Sequence, residues 1–220
     1  MVTIDCIADL HGYYPKLEGG DLLIVAGDLT SHDTLNEHLL FSEWLEKQYY
    51  KKKVVIAGNH DNYMMQVNKF PFSYYDADKR EDIPWADYLC DSGTEFEGIK
   101  IWGSPWTLRF PGINPLCAAF TGTEEKLEAK FGQIPEDTDI LITHGPPYGT
   151  LDKTIRGECV GSKSLQMELF QRLHPKLLVC GHIHEAYGIE PPGGFIEKCV
   201  NCSHVNEFYE PVNKPIRIIL

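Results

Sequence analysis

A chain of 220 residues, 43% hydrophobic and 24% charged, has ordinary globular composition, long enough for one substantial core and short for two full domains. Its 20 Lys and Arg stand against 32 Asp and Glu, and the net charge of −12 argues against a general nucleic-acid or membrane-surface binder. A small anionic substrate stays open, because bound divalent cations would reverse the sign locally.

In chain order, the first apolar runs, residues 4–8 and 22–26, read as buried strands. Thr34 and Glu37 are spaced for a capping box, and the helix that follows is expected to place Leu35, Leu39, Phe41, Trp44, Leu45 and Tyr49 near one apolar side. Residues 54–57 form a third strand. Residues 62–84 read as an irregular insertion over one end of the sheet, with Tyr63, Phe70, Phe72, Tyr74 and Tyr75 available to wall a pocket. A hairpin over residues 96–102 turns near Glu97-Gly98, and a helix over residues 123–131 is closed by Gly132. A strand over 140–143, a helix over 162–173 and a strand over 177–180 follow. The last predicted element is a hairpin over 187–200, turning near Gly193-Gly194. The series predicts an α/β core with a two-sheet sandwich, forming a single domain over residues 1–220.

Each buried run leads into metal-ligand residue types. Asp9-Leu10-His11 follows the first, Gly27-Asp28 the second and Gly58-Asn59-His60-Asp61 the third. His144-Gly145-Pro146-Pro147 and Gly181-His182-Ile183-His184 follow the last two. In open α/β sheets, ligands bind in the crevice beyond the strand C-termini. Imidazole and carboxylate donors suit divalent Mn, Fe, Ni or Zn, and the neighbouring glycines allow tight turns that aim side chains into the crevice. Singly, each motif reads as a turn or cap. Five in order, each straight after an apolar run, make that joint reading untenable.

The ordered set resembles the calcineurin-like metallophosphoesterase superfamily. Gly27-Asp28-Leu29-Thr30, residues 101–106, His144-Gly145-Pro146-Pro147 and the tail from Asn201 through Pro215 further resemble small metallophosphoesterase-domain proteins related to class III cyclic-nucleotide phosphodiesterases. The resemblance implies a four-layer αββα sandwich and two divalent metal ions. Asp9, His11 and His184 would hold one ion, Asn59, His144 and His182 the other, and Asp28 would bridge them. A water shared by such ions, deprotonated near neutral pH, would attack phosphorus in line. His60 would be the general acid. In some relatives a carboxylate three residues after the bridging Asp orients this His; that position is Ser31 here, leaving Asp33 or Asp61 as substitutes.

The substrate expected is a small phosphate ester, with a diester or cyclic nucleotide ahead of a phosphomonoester. A nuclease fits the acidic charge poorly, and a non-catalytic scaffold fits poorly with His60 and every ligand present. Arg109 could reach a phosphate or simply be solvated, and Tyr148 and Asn201 could border the site or serve turns. His32, His38, His174 and His204 read as surface or structural. No secretory or membrane-spanning segment stands out, and seven Cys without regular spacing fit a reducing, cytoplasmic setting. Cys199 and Cys202 read as ordinary thiols, and Asn201-Cys202-Ser203 as an empty glycosylation match.

Overall fold

A computed structural model describes residues 1–67, 73–76, 81–110, 112, 116–190 and 196–220. The chain opens with strands β1 (Thr3–Ile7) and β2 (Gly20–Ala26), helix α1 (Leu35–Glu46) and strand β3 (Tyr50–Ile56). Helix α2 (Asn62–Val67) leads to an antiparallel pair, β4 (Ser73–Asp76) with β5 (Glu81–Pro84), and then to β6 (Asp87–Tyr88). Next come β7 (Ser92–Phe96), β8 (Ile99–Ser104), the short strands β9 (Thr107–Leu108) and β10 (Thr121–Gly122), and helix α3 (Glu124–Phe131). The remainder is β11 (Ile140–Thr143), α4 (Lys163–Gln171), β12 (Leu177–Cys180), β13 (Gly188–Glu190), β14 (Cys199–Asn201) and β15 (Ile216–Ile219).

Two sheets form the centre, ordered β15-β1-β2-β3-β6 and β13-β14-β12-β11-β8-β7. Their interior strands run parallel, while β15, β13 and β7 pair antiparallel at the edges. A parallel strand buried on both faces must be apolar on both, which is why these runs read as continuous rather than alternating. The period of two then sorts the side chains. Ile4, Cys6, Leu22, Ile24, Val54 and Ile56 meet Ile140, Ile142, Leu177, Val179 and Val200 between the sheets. The alternate residues Ile7, Leu23, Val25 and Val55 pack under Phe41, Trp44 and Leu45 of α1. On the far side Leu141, Leu178 and Cys180 pack under Leu127, Phe131, Leu165 and Leu169 of α3 and α4. Helix, sheet, sheet, helices: the fold is the αββα sandwich that the resemblance implied.

The capping box of α1 is present, with Thr34 accepting from the Glu37 N–H and Glu37 reaching back to the Thr34 backbone. The buried face keeps the expected Phe41, Trp44 and Leu45 and differs from the expected one in the rest. His38, Phe41, Ser42, Trp44 and Leu45 are buried, whereas Leu35, Leu39 and Tyr49 are exposed. Residues 38, 41, 42 and 45 make an i, i+3, i+4, i+7 stripe that a polar His and Ser disguised. His38 is tolerated there because its Nε2 lies 2.8 Å from Asp33 Oδ1.

Two further readings change. Residues 62–84 hold a helix and a strand pair rather than irregular chain, and Phe70 and Phe72 lie outside the described residues, as do the side chains of Tyr74 and Tyr75. The tail adds an unforeseen edge strand, β15, whose Ile-Arg-Ile-Ile alternates buried and exposed. The predicted β7–β8 hairpin turns through Glu97 (φ 51°) and Gly98 (φ 77°), the double left-handed geometry of a type I′ turn. β13 and β14 pair as the later hairpin requires, though the Gly193-Gly194 turn lies outside the described residues. No helix among the described residues is long and apolar enough to cross a membrane.

The reassigned face of α1 is testable. Phe41→Ala should cost about 3–5 kcal/mol, as expected for a fully buried ring, whereas Leu39→Ala should stay within about 0.5 kcal/mol. Urea unfolding midpoints of the two variants provide the comparison, and similar losses would restore the original face.

Candidate metal centre

The C-terminal ends of β1, β2, β3, β11 and β12 meet at one rim, and backbone bonds knit it together. Asp9 N–H donates to Gly27 O (3.0 Å), His11 N–H to Asp28 O (3.1 Å) and Gly181 N–H to His144 O (3.0 Å). The sheets join there through Ala8 N–H to Cys202 O (2.9 Å) and Cys202 N–H to Cys180 O (2.8 Å).

The turns that follow are strained in an informative way. Asp9 (φ 50°), His11 (φ 42°), Asp28 (φ 52°) and His182 (φ 69°) all adopt left-handed backbone, a conformation that costs non-glycine residues free energy and persists where surroundings enforce it. The glycines beside them therefore act differently from expectation. Gly27 does take positive φ, but Gly58 and Gly181 serve mainly as gaps. A Cβ on Gly58 would lie 2.2 Å from Asp28 Oδ1, and one on Gly181 would lie 2.3 Å from Asp9 Oδ2.

The side chains converge as two sets around one carboxylate. Asp9, His11 and His184 form one group able to hold a metal ion, and Asp28, His144 and His182 another. Asn59 joins the second set through Oδ1, 2.9 Å from His144 Nε2. Asp28 faces both sets: Oδ2 is 3.7 Å from His11 Nε2, and Oδ1 is 3.4 Å from His144 Nε2. His11 Nε2 and His184 Nε2 approach to 3.4 Å. His60 shares a third grouping with His11 and Asp28, so position alone would let it act as a ligand too.

Hydrogen bonds to the outer atoms aim the inner ones. Asp9 Oδ2 accepts from Ser203 Oγ (2.6 Å) and from the His182 N–H (2.9 Å), which turns Oδ1 inward. His144 Nδ1 lies 3.0 Å from Ala26 O, and donation there leaves the Nε2 lone pair toward the site. Buried Asp9 Oδ1 and His182 Nε2 lack any hydrogen-bond partner among the described residues. An unpaired buried polar atom costs about 1–3 kcal/mol, and bound cations are the partners this donor set fits.

Electrostatics agrees at two of the histidines. Burial drives the His11 ring down to about 4, and burial with the His144 charge drives His182 down to about 3, so both stand neutral as lone-pair donors. Burial opposes ionisation of Asp28, yet the His144 and His60 charges hold its carboxyl well below the usual range. The same attraction outweighs burial at His144 and raises it to about 9. Asp9 is likewise held low against burial, chiefly by neighbouring His184.

Of the other predicted residues, Arg109 is exposed, and Tyr148 packs beneath Lys163 Nζ at 5.3 Å. No hydrogen bond, ion pair or ring contact joins either to the site among the described residues. Asn201 is fully buried, out of reach of a glycosylating enzyme, and its Nδ2 donates to Ile183 O (2.9 Å), bracing the turn between His182 and His184. Neither proposed substitute for the orienting carboxylate faces His60. Asp33 accepts from the Tyr63 N–H and pairs with His38. Asp61 accepts from Gly58 N–H (2.7 Å) and Leu29 N–H (3.1 Å), pinning two rim turns. What lies beside His60 Nδ1 is Cys117 Sγ, at 3.7 Å. Phe110 and Cys117 carry no motif that marks them in the sequence, and Tyr209 and Ser203 lie in the tail that carried the closer resemblance, where no role was assigned to them. All seven cysteines are free thiols, Cys199 and Cys202 buried among them.

The calcineurin-like phosphoesterase family model matches residues 2–186. The chain belongs to that family. It is therefore a metal-dependent phosphoester hydrolase of a family whose centres are dinuclear. It is 36% identical to human metallophosphoesterase domain-containing protein 1, over 98% of this chain and 70% of that one. It is 25% identical, over 82% of this chain and 61% of the other, to an Arcobacter nitrofigilis protein bearing the name glycerophosphodiester phosphodiesterase GpdQ. The structure of TT1561 from Thermus thermophilus shares the fold, with a TM-score of 0.61 and 14% identity across 91% of this chain and 88% of that one.

The gap at Gly58 yields a prediction. In Gly58→Ala the new methyl displaces Asp28 Oδ1, and metal affinity should fall on the order of 10–100-fold, as when an outer support of a ligand is lost. Calorimetric titration with Mn²⁺ measures this, alongside circular dichroism to confirm folding. Unchanged affinity in a folded variant would mean that Asp28 is not held where described.

Proposed function

We propose that this enzyme is a phosphodiesterase acting on small diesters, with Asp9, His11 and His184 holding one divalent ion, Asn59, His144 and His182 the other, and Asp28 shared between them. The observation that carries the ligand assignment is the divergence of the two Asp28 oxygens toward separate imidazole sets, at 3.7 and 3.4 Å. Divalent ions in such a site polarise phosphoryl oxygens and acidify a water, and the donor types suit Mn, Fe, Ni or Zn.

The charge balance favours a diester. The principal charges acting on Asp9, Asp28 and their histidines come from one another, and no lysine or arginine is among them. A monoester dianion would bring a second negative charge to a site with no lysine or arginine placed at it among the described residues; a diester brings one. The GpdQ name points the same way.

His60 is the proposed acid for the departing oxygen. Its ring is partly accessible, 4.6 Å from the His11 ring, and its backbone N–H donates to Asp28 Oδ1 (2.9 Å). That bond fixes the residue to the rim while the ring remains beside the crevice. Cys117 Sγ at Nδ1 takes the orienting place for which a carboxylate was expected.

A metal-reconstituted panel of activated diesters, activated monoesters, and 3′,5′- and 2′,3′-cyclic nucleotides tests the substrate class. Diester turnover should exceed monoester turnover, and the reverse order would overturn the diester reading. Asp28→Asn should lose more activity and more bound metal than His11→Ala, because one carboxylate serves both sets; metal analysis beside kinetics checks this. His60→Ala should retain its metals and lose activity according to the leaving group. The loss should be modest for nitrophenyl esters and approach about 10²–10⁴-fold for alkoxide leaving groups. Equal losses for both would remove His60 from the acid role.

A further inference from the structure

We propose that Tyr209 is a substrate-selecting residue that favours phosphoesters whose departing group is a flat aromatic ring, whether aryl or heterocyclic. The inference rests on the phosphoesterase reading of the same centre. Tyr209 lies between β14 and β15, beyond the last ligand motif in the chain, yet its ring reaches the centre. It meets the His11 ring edge-on at 4.9 Å and the His184 ring at 5.1 Å, and lies 6.4 Å from His60. It thus stands on the side where a group released toward His60 must leave.

The backbone around it is held for that placement. Tyr209 sits at φ 60°, costly for a bulky aromatic and maintained only by its surroundings. Asn206 supplies them: its Oδ1 accepts the N–H groups of Phe208 (3.0 Å) and Glu210 (2.9 Å), and its carbonyl accepts from the Tyr209 N–H (2.9 Å). The base of the loop is tied down in turn. His204 N–H donates to Ala8 O (2.8 Å) at the end of β1, and Asn213 N–H donates to His204 O (3.1 Å). The ring is therefore fixed to the strand that delivers Asp9.

Core packing does not explain this arrangement. Tyr209 is 48% exposed, and its hydroxyl makes no hydrogen bond among the described residues. A fixed aromatic, half open to the crevice beside the acid, offers a face to a second ring. Across the centre, Phe110 stacks on His182 at 5.7 Å and 11°, so each imidazole set has an aromatic flank. An aromatic flank of this kind discriminates flat from puckered groups, because a π-face attracts another ring beyond the area it covers.

The test uses metal-loaded protein and two phosphodiesters of matched size, methyl phenyl phosphate and methyl cyclohexyl phosphate, as competitive inhibitors of bis(p-nitrophenyl) phosphate hydrolysis. Wild type should favour the phenyl compound by about 3–10-fold, the worth of one aromatic pair. Tyr209→Leu should bring the two within about twofold, Tyr209→Phe should keep the preference, and both variants should retain wild-type metal content. Equal affinities in wild type, or a preference that survives Tyr209→Leu, would overturn the proposal while leaving the phosphoesterase reading intact. Loss of metal from Tyr209→Leu would also overturn it, by showing that the ring supports His11 and His184 rather than substrate. Failure of metal-loaded wild type to hydrolyse the diester or bind either phosphate would bring down the underlying reading, and this inference with it.

Discussion

The carboxylate of Asp28 is the constraint around which the site is built. Its side chain is 2% exposed, and an ionised carboxylate in such a place is tolerable only when charges and donors surround it. His144 and His11 approach its two oxygens from opposite sides, and the His60 N–H donates to one of them. Gly58 has to be a glycine because that oxygen occupies the space of its side chain. Asp61, three residues on, is a second buried carboxylate in the same region; burial and the Asp28 charge push it up to about 7. Asp9 is buried as well, its carboxyl held low by His184, while His11 and His182 are held neutral and keep their lone pairs free. Cations complete such a centre, and the acidic groups that look destabilising in isolation become its binding energy.

The sandwich makes this crowding possible. Parallel strands buried on both faces can shift only with their sheet, so their ends are well-fixed points from which to launch strained turns. Three strand ends of one sheet and two of the other are tied together by backbone bonds at Ala8, Cys180 and Cys202, so the two sheets present a single rim. The left-handed residues at Asp9, His11, Asp28 and His182 are held open by that rim. Strain of this sort is stable only where rigid elements over-determine the chain.

The same rigidity explains what could be read from sequence. A ligand fixed to a strand end leaves a local signature, an apolar run followed by Asp, His or Gly-Asn-His, and every proposed ligand was visible in that form. The α1 capping box and the β7–β8 turn were legible for a like reason, since their geometry is set by adjacent residues. The buried face of α1 was not, because His38 enters the core on the strength of Asp33, a pairing that hydrophobic spacing cannot register. β15 escaped notice because a short edge strand is defined by its partner β1, more than 200 residues away in the chain. Cys117 beside His60, and Ser203 beside Asp9, are joined to the centre only by folding.

On the function proposed above, binding of the reacting phosphate and selection of its substituents lie on different parts of the chain. The metal rim draws on residues 9–60 and 144–184, all at strand ends and all within the span matched by the family model. Tyr209 comes from the tail beyond that span, and Phe110 from the connection between β9 and β10. Changes at the rim are penalised by strain, buried charge and lost metal together, which leaves little freedom there. A loop residue held by Asn206 can be exchanged for another side chain without disturbing any strand, because the bonds that fix its position are made by backbone and by Asn206 itself. One metal chemistry can in this way be turned toward different esters by altering loops that never touch the ions, and the chain's selectivity has to be sought in those loops rather than in the motifs that reveal its family.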